Sequence, residues 1–115
     1  MELWNVTKQT QLASRLRLAV TFLQRFKGLL GTKSLPEGDA LLIRPCSSIH
    51  TLGMNYPIDV FFMTAEDRVL KIAASIPPGR AAMAWGGCYV LELPAGSALK
   101  TGTTVGDQLF IKKHE

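Results

Sequence analysis

Between Glu2 and Glu37 the chain has no acidic residue at all. Lys8, Arg15, Arg17, Arg25, Lys27 and Lys33 all fall in that gap, so the formal charge of +4 is concentrated in the amino-terminal third. A basic face of this kind suits phosphate, nucleic acid or an acidic partner. Few aromatics stand beside these charges, and a solvated basic surface is the expectation; a nucleic-acid partner is not. Cysteine is scarce too. Cys46 and Cys88 are the only two, with no C-x-x-C and no zinc-finger spacing, and they read as small core hydrophobes, not bonded to one another, in a reducing compartment.

Long apolar runs are missing as well. No segment approaches the roughly 20 residues of a membrane span, and Met1 to Thr10 has no cationic start followed by a signal-type apolar run. The expectation is a soluble, cytoplasmic chain; an exported form whose leader has been removed would read the same way. The chain also lacks G-x-S-x-G, which argues against acyl-transfer chemistry, and any β-α-β alternation with a Gly-rich phosphate loop, which points to a mainly antiparallel sheet.

What is present is 115 residues with 47% hydrophobic content, enough for one domain with its own core and too little for two. Chemistry-bearing side chains gather in CSSIHTLGMNYPIDVFFM, from Cys46 to Met63. Strand alternation places Ile58, Val60 and Phe62 on one face and Asp59, Phe61 and Met63 on the other. Asp59 therefore shares its face with large apolar groups, and its carboxylate must find donors or shift its pKa.

Before this stretch, Leu3 to Val6 and Leu12 to Leu18 read as a hairpin. Ala19, Phe22, Leu23, Phe26, Leu29 and Leu30 then follow the spacing of an amphipathic helix, the one principal helix, between about Leu18 and Leu30. Thr21 and Gln24 make its capping box and Gly31 its C-cap. Ala40 to Arg44 is a short apolar strand. After the central stretch, Val69 to Ala74 returns as the second arm of a hairpin with Ile58 to Thr64. Gly79 to Gly87 is a small-residue loop with Arg80, Met83 and Trp85 its only bulky residues. Cys88 to Leu93 is a strand with Cys88, Val90 and Glu92 on one face. A turn at Pro94 to Ser97 leads to a short helical turn, and Thr104 to Ile111 is the last strand. These elements predict an α+β, mainly β fold, a curved or barrel-like, mostly antiparallel sheet with one helix packed on it.

Arg25 with GLLG at Gly28 to Gly31, IHTLGMNYPIDVFF at Ile49 to Phe62, LELPAG at Leu91 to Gly96, and Gly106 with Asp107 resemble the DUF192 family, from about Leu16 to Ile111. The resemblance implies a compact, mostly β domain with a helix and no established activity. Many of the family's members look exported behind a signal or lipoprotein segment.

The functional expectation is a ligand-binding or accessory module whose ligand-binding residues are Arg25, His50, Met54, Asp59, Arg80 and Glu92, with the loop around Arg80 and Trp85 over the site. A small-molecule or protein partner is expected, with no cofactor and no metal. Two alternatives stand beside it. Asp59 and Glu92, with His50, would serve a small hydrolase if the carboxylates faced one cleft. Cys46, His50 and Met54 would suit a soft metal such as Cu(I), but the serines, Gly53 and prolines around them argue for bent backbone and structural roles. A Cys46 nucleophile activated by His50 is the least supported reading.

Overall fold

The structure is a computed structural model that describes residues 1–114. The side chains of Phe22, Leu23 and Phe26, on which much of the helix's expected apolar stripe rests, lie outside the described set. Ten strands and two short helices follow in the order β1 (Glu2–Asn5), β2 (Thr10–Ala13), β3 (Arg15–Ala19), α1 (Phe22–Lys27), β4 (Asp39–Ile43), β5 (Ser48–His50), β6 (Ile58–Met63), β7 (Val69–Ile76), β8 (Ala81–Met83), β9 (Tyr89–Pro94), α2 (Ser97–Thr101) and β10 (Leu109–Lys112). They form a five-stranded sheet of order β3-β4-β9-β6-β7, a three-stranded sheet β10-β1-β2 and a ribbon β5-β8. The mainly β, mostly antiparallel reading holds, while the strands form open sheets and do not close into a barrel.

Two local readings differ. The segment from Leu12 to Leu18 is not one hairpin arm, because Ser14 and Arg15 both donate their backbone N–H to the Gly38 carbonyl at 2.9 Å. That clasp breaks the chain into β2 and β3, which enter different sheets. β3 then pairs parallel with β4, so β3-α1-β4 is a crossover unit of the kind parallel strands require. Its helix is also shorter than the apolar periodicity predicts. Thr21 caps it as expected, its hydroxyl accepting from Gln24 N at 3.2 Å while Gln24 Oε1 accepts from Thr21 N at 3.2 Å. The helix ends at Gly28, not Gly31, and Gly28 has a φ of 49°.

The central sheet is buried on both faces, which is why β6 is apolar on both faces apart from Asp59. On one face Ala40, Leu42, Phe61, Met63, Tyr89, Leu91 and Leu93 pack with Leu3, Leu12, Ala98 and Leu109 from the small sheet and α2. On the other, Leu41, Ile43, Ile58, Val60, Phe62 and Val90 pack with Leu29, Leu35 and Ala84, with Ile49 and Met54 partly buried against them. The basic amino-terminal third is partly neutralised by the fold: Lys8 pairs with Asp107 at 2.8 Å and Arg15 pairs with Asp39. Asp107 itself is buried. Desolvation would raise its pKa, but hydrogen bonds from Asn5, Lys8 and Thr104 outweigh that and hold it down at about 2.

Candidate functional site

Asp59 and Glu92 occupy adjacent central strands, yet they point to opposite sides of the sheet. Residues directly opposite in an antiparallel pair share a face; Asp59 lies opposite Leu93 and Glu92 opposite Val60. Asp59 therefore sinks into the first core, and Glu92 emerges beside Val60 and Leu41 on the second face. The paired-carboxylate arrangement that a hydrolase reading needs is not formed.

Asp59 is fully buried and fully used. Its Oδ1 accepts from Ser75 N at 2.7 Å and Gly96 N at 3.1 Å, and its Oδ2 from Ala98 N at 2.9 Å. Ser75 can reach it because β7 bulges there: the register with β6 shifts between Ile58 and Val60, and Ser75 takes a φ of 49°. One carboxylate thus ties β6 to β7 and to the turn entering α2.

Glu92 is also buried, 5% exposed, but its Oε1 has no hydrogen-bond partner among the described residues. Burial alone pushes its carboxyl up to about 7, and no neighbouring cation offsets the effect. It lines a cleft of about 170 Å³ between the end of α1, the segment leading into β5, and the loop that follows β5. Arg25 enters this cleft from α1. Its Nη1 donates to the Pro45 carbonyl at 3.2 Å, while its Nε is buried with no partner among the described residues.

The remaining wall is built by backbone geometry. Gly28 brings the helix end so close that a Cβ added there would stand 3.7 Å from Glu92 Oε1. Leu29 and Leu30 follow, and Ile43, Ile49 and Met54 make the apolar side. His50, exposed on β5, stands among the lining residues. The loop beyond it is held by Thr51, whose hydroxyl donates to the Pro77 carbonyl at 2.7 Å and accepts from Arg80 N at 2.8 Å. Arg80 thus contributes its backbone to this clasp; its side chain is exposed and absent from the cleft lining, as is Trp85, 88% exposed.

Of the residues expected from sequence, Arg25, His50, Met54 and Glu92 come together, and Asp59 and Arg80 do not. Cys46, read as a structural residue or metal ligand, joins the four. In the sequence Gly28 stands only within the GLLG motif, and Leu29 and Leu30 also continue the helical apolar spacing, but no periodicity links any of the three to Glu92. A Cβ at Gly28 would meet ordinary contacts, but the backbone angle is one that L residues rarely adopt. Gly28→Ala is expected to cost about 1 to 3 kcal/mol through strain, read by denaturant melts, and to narrow the cleft at Glu92.

Burial raises the Cys46 thiol pKa, and Glu92 raises it further; a hydrogen bond with the Ser48 backbone and the charge of Arg25 work in the opposite direction without overcoming it. A thiol held protonated is a poor nucleophile, so the cysteine-nucleophile reading gains nothing. Cys46 and Cys88 are both free. Titration of native protein with a maleimide should therefore modify exposed Cys88 first and Cys46 several-fold more slowly, with two thiols per chain after denaturation; equal rates would contradict the burial of Cys46. Cys46, His50 and Met54 line the same cleft, but among the described residues no three of His, Cys, Asp and Glu form a metal-holding group.

A mixed β-rich scaffold with two buried polar groups, Arg25 and Glu92, in the wall of a small cleft is thus the class that fold and site define. The chain belongs to the DUF192 family, described as an uncharacterized ACR, whose family model matches residues 4–111. It is similar to a UPF0127 protein of Pyrococcus furiosus, 30% identical over 115 residues, the match covering 91% of this chain and 93% of that protein. A UPF0127 protein of Thermococcus sibiricus is 28% identical over 109 residues, covering 91% of this chain and 71% of that protein. Among solved structures, a protein of unknown function from Novosphingobium aromaticivorans superimposes with a TM-score of 0.82 at 24% identity, over 96% of this chain and 82% of that one; it supports the fold alone. Among the described residues no helix is long and apolar enough to cross a membrane.

Proposed function

We propose that this chain is a small-molecule-binding module, a single domain whose site is the cleft between Arg25, Gly28, Cys46, His50, Met54 and Glu92. The observation that carries the reading is that Glu92 and Arg25 line one cleft, and that Glu92 Oε1 and Arg25 Nε are both buried with no partner among the described residues. A protein gains nothing in stability from leaving either atom unpaired, since each costs about 1 to 3 kcal/mol, and a ligand that pairs them recovers that free energy on binding. Among the described residues that line the cleft, no second carboxylate stands beside Glu92, as the hydrolase reading would need. Two free thiols support a reducing compartment, and hence the cytoplasm, as the place of action.

The test is a melting-temperature survey of small polar compounds against wild type, Glu92→Gln and a cleft-filling Met54→Trp variant. A compound that binds only the native state must raise its melting temperature. At least one compound should stabilise wild type and fail to stabilise both variants. A survey in which every stabilising compound acts equally on all three proteins refutes the cleft as the site.

A further inference from the structure

The two unpaired atoms are of opposite kind, and that narrows what the cleft can take. Arg25 Nε–H is a donor with a permanent positive charge, and its Nη1 is already engaged by the Pro45 carbonyl. Glu92 Oε1, when ionised, is an acceptor only. Burial is what raises the Glu92 pKa, and among the described residues no hydrogen bond joins Glu92 Oε1 to Arg25 Nε. We infer that the cleft takes a small zwitterion of the α-amino-acid type, its ammonium seated on Glu92 Oε1 and its carboxylate on Arg25.

This inference rests on the binding reading above and adds the ligand's chemical class. A simple carboxylate would serve Arg25 and confront Glu92 with a second negative charge. A simple amine would serve Glu92 and leave Arg25 Nε unpaired. A neutral diol would reach both, through bonds roughly half as strong as charge-assisted ones. Only a ligand with both charges closes both contacts at full strength. Its remaining atoms face Leu29, Leu30, Ile43 and Met54, so a short apolar side chain fits. The volume of about 170 Å³ falls below the roughly 300 to 1,000 Å³ of drug-sized sites and disfavours nucleotides.

Calorimetric or NMR titration of the full chain with L-valine, isovalerate, isobutylamine and 1,2-propanediol tests the class. L-Valine should bind at least about tenfold more tightly than each of the others, the free-energy equivalent of one charge-assisted contact. Glu92→Gln, which preserves shape, and Arg25→Gln should each lose about tenfold in valine affinity while keeping the wild-type circular dichroism. Because the ammonium needs an ionised Glu92, valine affinity should rise from about pH 6 to about pH 8. The other charged or titratable groups lining the cleft are Lys27, Cys46 and His50, and the pH profile should persist in His50→Gln and Cys46→Ser. A single-charge or neutral probe that binds as tightly as valine overturns the zwitterion while leaving the cleft a binding site. Failure of valine to bind, or binding indifferent to Glu92→Gln, overturns it as well; the melting-temperature survey then decides the broader reading independently.

Discussion

Asp59→Ala should cost about 3 kcal/mol or more of unfolding free energy and bring the protein close to its stability limit. The side chain serves three backbone N–H groups, those of Ser75, Gly96 and Ala98, and each buried donor left unpaired costs about 1 to 3 kcal/mol. Against a typical total of about 5 to 15 kcal/mol, that loss is severe. Asp59→Asn should fall between. Its oxygen can still accept from Ser75 and Gly96, but its amide group would face the Ala98 N–H, donor against donor. Glu66→Ala, on an exposed turn, should melt within about 0.5 kcal/mol of wild type. Urea melts of the three variants rank them; an Asp59→Ala protein as stable as Glu66→Ala would mean that the three N–H groups find other partners at no cost. Because Asp59 lies on the face away from the cleft, Asp59→Asn, where it folds, should still bind whatever the cleft binds.

The burden on Asp59 was legible from its strand, and its donors were not. Alternation alone places Asp59 with Phe61 and Met63, and the cost of a buried charge then demands acceptor duty. The irregular backbone nearest to Asp59 in sequence, the stretch before Pro57, supplies none of these three N–H groups. They come instead from a bulge in β7 and from the turn into α2, because strand register and bulge position depend on pairing that no single sequence displays. The same limit hid the cleft. Placing Glu92 on the face of Cys88 and Val90 needed only the period of a strand, but learning that Val60, and not Asp59, lies opposite it needed the register. The helix was legible at its start, where Thr21 and Gln24 form a local motif, and overextended at its end. Leu29 and Leu30 continue the apolar spacing beyond the point where Gly28 turns the chain down onto Glu92. Their apolar faces serve the core and the cleft wall in an irregular turn, and periodicity cannot distinguish that from another helical turn.

Glu92 should make the stability of the protein fall as pH rises across neutrality, the reverse of what Asp107 contributes in acid. The folded-state value of about 7 stands above the ordinary 4.5, so between those values the folded chain holds more protons than the unfolded chain. Unfolding free energy then decreases with pH over that window. The contribution is fully present below about pH 4.5 and lost once pH passes about 7, and the displacement corresponds to a ceiling of about 3 kcal/mol. Glu92→Gln has no charge to desolvate and should lack this fall. In urea melts it should match wild type near pH 5 and exceed it near pH 8 by up to about 3 kcal/mol, a mutant more stable than its parent. Asp107 titrates at about 2, below this window, and is common to both proteins, so the difference isolates Glu92. Parallel stability profiles for the two proteins would show that the carboxylate is already compensated in the folded state. A site residue that weakens the fold at neutral pH is held there at a cost in stability, and its ligand should reverse that cost: saturating wild type with a cleft-binding ammonium compound should flatten its pH profile toward that of Glu92→Gln.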